Sequence, residues 1–103
     1  MTEIKQLIEQ WAIDRNIDQY ENRFQQSLKL SEEVGELCGA ILKHKPEEII
    51  DAIGDIQVVL IILCKQLDIN YDRCLQIAWN TIKDRTGKTV NGSFIRDVEP
   101  KNK

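Results

Sequence analysis

Glu32, Glu33 and Glu36 fall within five positions of the stretch LKLSEEVGELCGAIL, residues 28–42. On a helix advancing 100° per residue these three carboxylates occupy an arc of about 100°, and Lys29 projects into the same arc. A second acidic pair, Asp51 and Asp55, stands one turn apart just ahead of the apolar run IQVVLIILC, residues 56–64. A carboxylate carried into an interior without a partner is expensive, so such groups need cations or hydrogen-bond donors. If the two acidic faces meet, five carboxylates converge with almost no nitrogen ligand among them. That donor set selects a hard, oxygen-seeking ion, Mg²⁺ or Mn²⁺, over zinc or iron. Magnesium held by acidic helices suits binding of polyphosphate and activation of a water against it. Each cluster also has a plainer reading. The glutamates form a solvated face with a Lys29–Glu33 pair at i,i+4, and the aspartates sit at an exposed helix start.

The cations that such chemistry needs are sparse. Asn80, Lys83 and Arg85 follow one another in WNTIKDR, with Lys88 just beyond. They complement a helix C-terminus, and they are also placed to grip phosphate oxygens. The single histidine, His44, lies in the KHK turn as a helix-end residue, so the Glu-x-x-His pattern of a di-iron bundle is missing. DINYD starts like a calcium loop, but Arg73 and Trp79 stand where glycine and glutamate are required. GKT at 87–89 lacks the preceding P-loop glycine.

The elements that position these groups read as helices. Ile4, Leu7, Ile8, Trp11 and Ala12 make one apolar stripe over residues 2 to about 14. A long helix follows from about Glu21 to Lys43, with Leu30, Val34, Leu37 and Ile41 as its apolar stripe. Pro46 opens a third helix, with Glu47 and Glu48 favourable in its first turn, running to about Leu67. The β-branched residues of that helix would also suit a strand, but a segment this long without a turn signal predicts a buried helix. Asp68 and Asn70 punctuate before a fourth helix, YDRCLQIAWNTIKDR, which Gly87 ends. Asn91-Gly92 between two short β-prone runs predicts a hairpin. The expected fold is all-α: one domain over residues 1–103, four-helix and bundle-like, with a short hairpin-like tail.

A chain of 103 residues is near the size at which one core suffices. Its formal net charge of −3 offers no basic field for nucleic acid. Three widely spaced cysteines, Cys38, Cys64 and Cys74, form no CxxC pair and read as buried reduced thiols of a cytoplasmic protein. The N-terminus has no signal-peptide organisation, and the most apolar run is about half the length that spans a bilayer. No membrane is expected as a partner. Helix faces that one short protomer leaves uncovered predict a homo-oligomer, dimer or tetramer.

EEVGEL, then IGD heading an apolar helix, then WNTIKDR together resemble the MazG-like family of all-α nucleoside triphosphate pyrophosphohydrolases, over about residues 20–90. The tail GKTVNGSF resembles small phage or prophage members. The resemblance implies Mg²⁺-dependent cleavage of a (deoxy)nucleoside triphosphate to monophosphate and pyrophosphate, in the clearing of nucleotide pools. It implies that Glu32, Glu33, Glu36 and Asp55 hold the metal, Glu32 and Glu33 being the catalytic pair that orients the attacking water. Lys29, Asn80, Lys83 and Arg85 would contact phosphates, and Trp11 and Phe24 would stack on the base. The family's Glu-x-x-Asp motif is broken here, since Ala52 stands where the glutamate belongs. Asp51 is the candidate to compensate. The competing function is a non-catalytic helical module for oligomerisation or binding.

Overall fold

The structure, a computed structural model, describes residues 3–98. Its elements are α1 (Glu3–Asp14), a 3₁₀ turn (Tyr20–Asn22), α2 (Arg23–Leu42), α3 (Pro46–Gln66), α4 (Tyr71–Ile82), β1 (Gly87–Val90) and β2 (Ser93–Arg96). The all-α expectation holds, with the small hairpin at its C-terminal end. Two compact units are present, residues 1–71 and 72–103.

In the first unit α2 and α3 form the main pair, and α1 packs on α3. Pro46 stands at the start of α3, where its missing N–H costs nothing. Three helices end on a left-handed residue without a glycine: Asn16 (φ 59°), His44 (φ 56°) and Asp68 (φ 57°). Each end closes with the paired bonds of a Schellman motif. At α2 these are His44 N–H to Ile41 O (3.1 Å) and Lys45 N–H to Ala40 O (3.1 Å). Asn, Asp and His tolerate this conformation better than other side chains do.

The core is small: Ala12, Ala40, Ala52, Val59, Ile61 and Ile62 are buried. Two glutamines tie elements together through the backbone. Gln26 Nε2 donates to Val59 O (3.3 Å) and Gln66 Nε2 to Ile17 O (2.7 Å). Along α2 Glu33 and Ala40 are buried and Gln26, Leu30 and Leu37 are half-buried, whereas Val34 and Ile41 are exposed. The buried face is therefore turned by about 50° from the expected Leu30–Val34–Leu37–Ile41 stripe. The cysteine expectation needs a correction as well: Cys38 and Cys74 are exposed and Cys64 is half-buried, all three as free thiols.

In the second unit α4 stops at Ile82, three residues short of the expected Arg85. The hairpin pairs Val90 with Ser93 and Gly87 with Arg96 around Asn91 (φ 51°) and Gly92 (φ 81°). Positive φ at both positions is the turn that matches strand twist. Gly87 is required by close approach: a Cβ there would collide with the Ile95 carbonyl and the Phe94 ring.

Candidate active site

Antiparallel neighbours α2 and α3 are joined by only the 43–45 turn, so the C-terminal half of α2 faces the N-terminal half of α3. The two helices pack on one another, and Ala40 of α2 and Ala52 of α3 are both buried. Beside this contact opens a cleft of about 610 Å³, within the range of small-molecule sites. Glu32 and Glu36 reach it from α2, and Glu48, Asp51 and Asp55 from α3. Gly35 and Gly39 leave bare helix on its α2 wall, and Lys43 is the one cation among the lining residues.

Glu32, Glu36, Asp51 and Asp55 are thus brought to one cleft from two helices. Ala52, at the position of the missing family glutamate, also lines it, beside Asp51. Glu33 is placed differently. It is buried on the face of α2 that carries Leu37 and Ala40, with 5% of its surface exposed. Lys29 Nζ stands 3.6 Å from Glu33 Oε1 and 3.4 Å from Glu32 Oε1. The hydrogen bond and charge of Glu32 foremost, and then the charge of Glu33, raise the Lys29 pKa above its ordinary 10.5. Glu33 Oε2 is buried with no hydrogen-bond partner, a costly arrangement for a carboxylate.

The donor chemistry of the cleft fits a divalent ion of the magnesium type: carboxylate oxygens, with no imidazole or thiol on the walls. Among the described residues no group of three or more His, Cys, Asp or Glu side chains is gathered closely enough to hold a metal ion by itself. Magnesium does not ask for such a group. It keeps several waters and is held by one or two carboxylates together with substrate phosphates.

The expected substrate contacts are distributed more widely. Trp11 lines a separate apolar pocket with Ile4, Leu7, Ile8 and Val58. Arg15 stacks on its ring at 4.2 Å. Phe24 is exposed, with the Arg23 guanidinium 4.5 Å from its ring centre. Asn80, Lys83 and Arg85 belong to the second unit, where Gln76 Nε2 donates to Asn80 Oδ1 (3.1 Å). One charged cleft residue escaped the sequence reading, Lys43; Glu48, which with Asp51 fits the Glu-x-x-Asp pattern one turn early, also lines the cleft. A signal was present: Lys43 follows Glu36 by seven residues and Gly39 by four, which puts all three on one helix face.

A protein-family model described as phosphoribosyl-ATP pyrophosphohydrolase matches residues 1–85. A protein of Haemophilus phage HP1, described as an uncharacterized 18.2 kDa protein in the rep-hol intergenic region, is 49% identical over 69 residues. That alignment takes in 64% of this chain and 42% of the phage protein, so the chain spans less than half the length of this relative. No solved structure matches.

Proposed function

The chain belongs to the phosphoribosyl-ATP pyrophosphohydrolase family, within the MazG-like all-α pyrophosphohydrolases, and on that premise we propose that it hydrolyses (deoxy)nucleoside triphosphates to monophosphate and pyrophosphate with Mg²⁺ or Mn²⁺. The carrying observation is the cleft between α2 and α3, whose walls present Glu32, Glu36, Asp51 and Asp55. In this reading those four residues hold the ion. When bound, it neutralises phosphate charge and lowers the pKa of its water.

Glu32, from the cleft, and Glu33, from the buried side of the same helix turn, form the catalytic pair. One orients the attacking water and accepts its proton. The water oxygen bonds to the α-phosphorus, the α–β anhydride bond breaks, and pyrophosphate leaves. Lys29 bridges the pair, its Nζ 3.4 Å from Glu32 Oε1 and 3.6 Å from Glu33 Oε1. Asn80, Lys83 and Arg85 are the proposed further phosphate contacts, and Trp11 and Phe24 the proposed base contacts.

The family description names phosphoribosyl-ATP, which carries a second phosphorylated ribose beyond the triphosphate. A cleft with a single lining cation provides for one phosphate tail, which supports the simple triphosphate and, with it, a role in clearing nucleotide pools. The test is a panel of NTPs, dNTPs and phosphoribosyl-ATP compared by kcat/KM. A best kcat/KM on phosphoribosyl-ATP would reassign the substrate.

We also propose a homo-oligomer. Leu75, Ile77, Trp79 and Ile82 of α4 are all exposed in the single chain, as are Ile4 and Leu7 of α1. Apolar surface of that extent is normally covered by association.

A further inference from the structure

We propose that Lys43 holds the terminal phosphate of the leaving pyrophosphate, so that the polyphosphate tail runs along the cleft from the carboxylate end towards the 43–45 turn. This deepens the proposed function and rests on the cleft being the polyphosphate site.

Three observations carry it. First, Lys43 is uncommitted. The turn supplies two lysines and the cleft edge beside it supplies one carboxylate, Glu48. Lys45 Nζ takes Glu48 Oε2 at 3.7 Å, leaving Lys43 with no ion-pair partner among the described residues. An unpaired ammonium on the wall of an acidic cleft is available to an anion.

Second, its position matches a tail and not a metal. Lys43 lies seven residues, about 10 Å along the axis, beyond Glu36. Helical side chains lean back towards the N-terminus over the preceding turn, which here is Gly39. A Cβ built at Gly39 meets nothing within 4 Å, so this stretch of wall is open. The lysine stem can therefore lie back along bare helix and bring its charge towards the carboxylate end.

Third, the cleft lining is charged or small, with no aromatic ring and no amide side chain. A base would want a stacking surface, whereas a phosphate tail wants an ammonium. The tail is the part of the substrate that this lining suits.

The test measures binding of inorganic pyrophosphate and of AMP, each with Mg²⁺, by calorimetry, together with product inhibition of turnover. Wild type is compared with Lys43→Gln and Lys43→Arg. Lys43→Gln should weaken pyrophosphate binding by about tenfold or more and raise KM for the triphosphate, with AMP affinity and the Mg²⁺ titration unchanged. Lys43→Arg should restore most of the loss. The residue is exposed at a helix end, and equal melting temperatures would confirm intact folding. Unchanged pyrophosphate affinity in Lys43→Gln, or a loss confined to AMP, overturns the assignment while leaving the cleft as the active site. Wild type that binds neither pyrophosphate nor triphosphate overturns both.

Discussion

Lys29 Nζ lies 3.6 Å from Glu33 Oε1, which pairs an ammonium that is half in solvent with a carboxylate whose side chain is 7% exposed. The two ends are unequal. Lys29 keeps its hydration and a second partner in Glu32, whereas Glu33 has little else to face. Lys29→Met should lower the melting temperature, because it leaves a buried carboxylate without its cation. The double variant Lys29→Met/Glu33→Gln should recover much of that loss. Because the Lys29 pKa is raised in the folded state, its contribution is complete below the ordinary value of 10.5 and is lost only as pH rises through the raised one. The melting-temperature gap between wild type and Lys29→Met should therefore stay level through the neutral range and close only in strong alkali.

Glu36→Gln and Glu33→Gln should each reduce turnover by at least about 10²-fold with helix content by circular dichroism unchanged, since a charge used in the transition state is worth a few kcal/mol. Normal hydrolysis by both variants would remove Glu33 and Glu36 from the proposed catalytic machinery.

Asp51 should partly replace the glutamate absent at Ala52. Both positions line the cleft with Asp55, and a carboxylate at 51 can act through one of the waters that Mg²⁺ retains. Asp51→Asn is expected to lose activity and shift the Mg²⁺ dependence upward, less severely than Asp55→Asn. An Asp51→Asn enzyme with wild-type kinetics and Mg²⁺ response would reduce the set to the remaining carboxylates.

Gly35→Ala should stabilise the fold by about 0.5–1 kcal/mol, the helix-propensity difference, because a Cβ there meets no atom within 4 Å. Thermal unfolding reads this directly, and a fall in melting temperature would reveal a packing role for the glycine. Light scattering should return a multiple of the 12.0 kDa chain mass, and a stable monomer at micromolar concentration would contradict the proposed oligomer.

Much of this architecture is written locally in the chain. Pro46 with two glutamates announces α3, and Asn91-Gly92 announces the hairpin turn. The i,i+4 spacing of Glu32 with Glu36 and of Asp51 with Asp55 puts each pair on one face before any tertiary contact is known. The rotation of α2 is not local. Helical angles fix residues relative to one another, but which side meets α3 depends on how closely the backbones approach. Val34 and Ile41 were the stronger apolar signal, yet both are exposed while Glu33 and Ala40 are buried. The helix ends near Asn16, His44 and Asp68 were legible, but not their left-handed caps, which are filled by residues other than glycine. Lys43 was hidden by the same turn, where KHK reads as a solvated helix end until Lys45 is seen to take Glu48.

The most direct measurement is of products released from a nucleoside triphosphate by the purified protein, with Mg²⁺, in EDTA, and with Mg²⁺ restored. The account predicts equal amounts of monophosphate and pyrophosphate, loss of both in EDTA, and full recovery on adding the metal back, with Asp55→Asn at least about 10²-fold slower wherever Mg²⁺ is present. Release of orthophosphate in place of pyrophosphate, or undiminished turnover in EDTA, would contradict it.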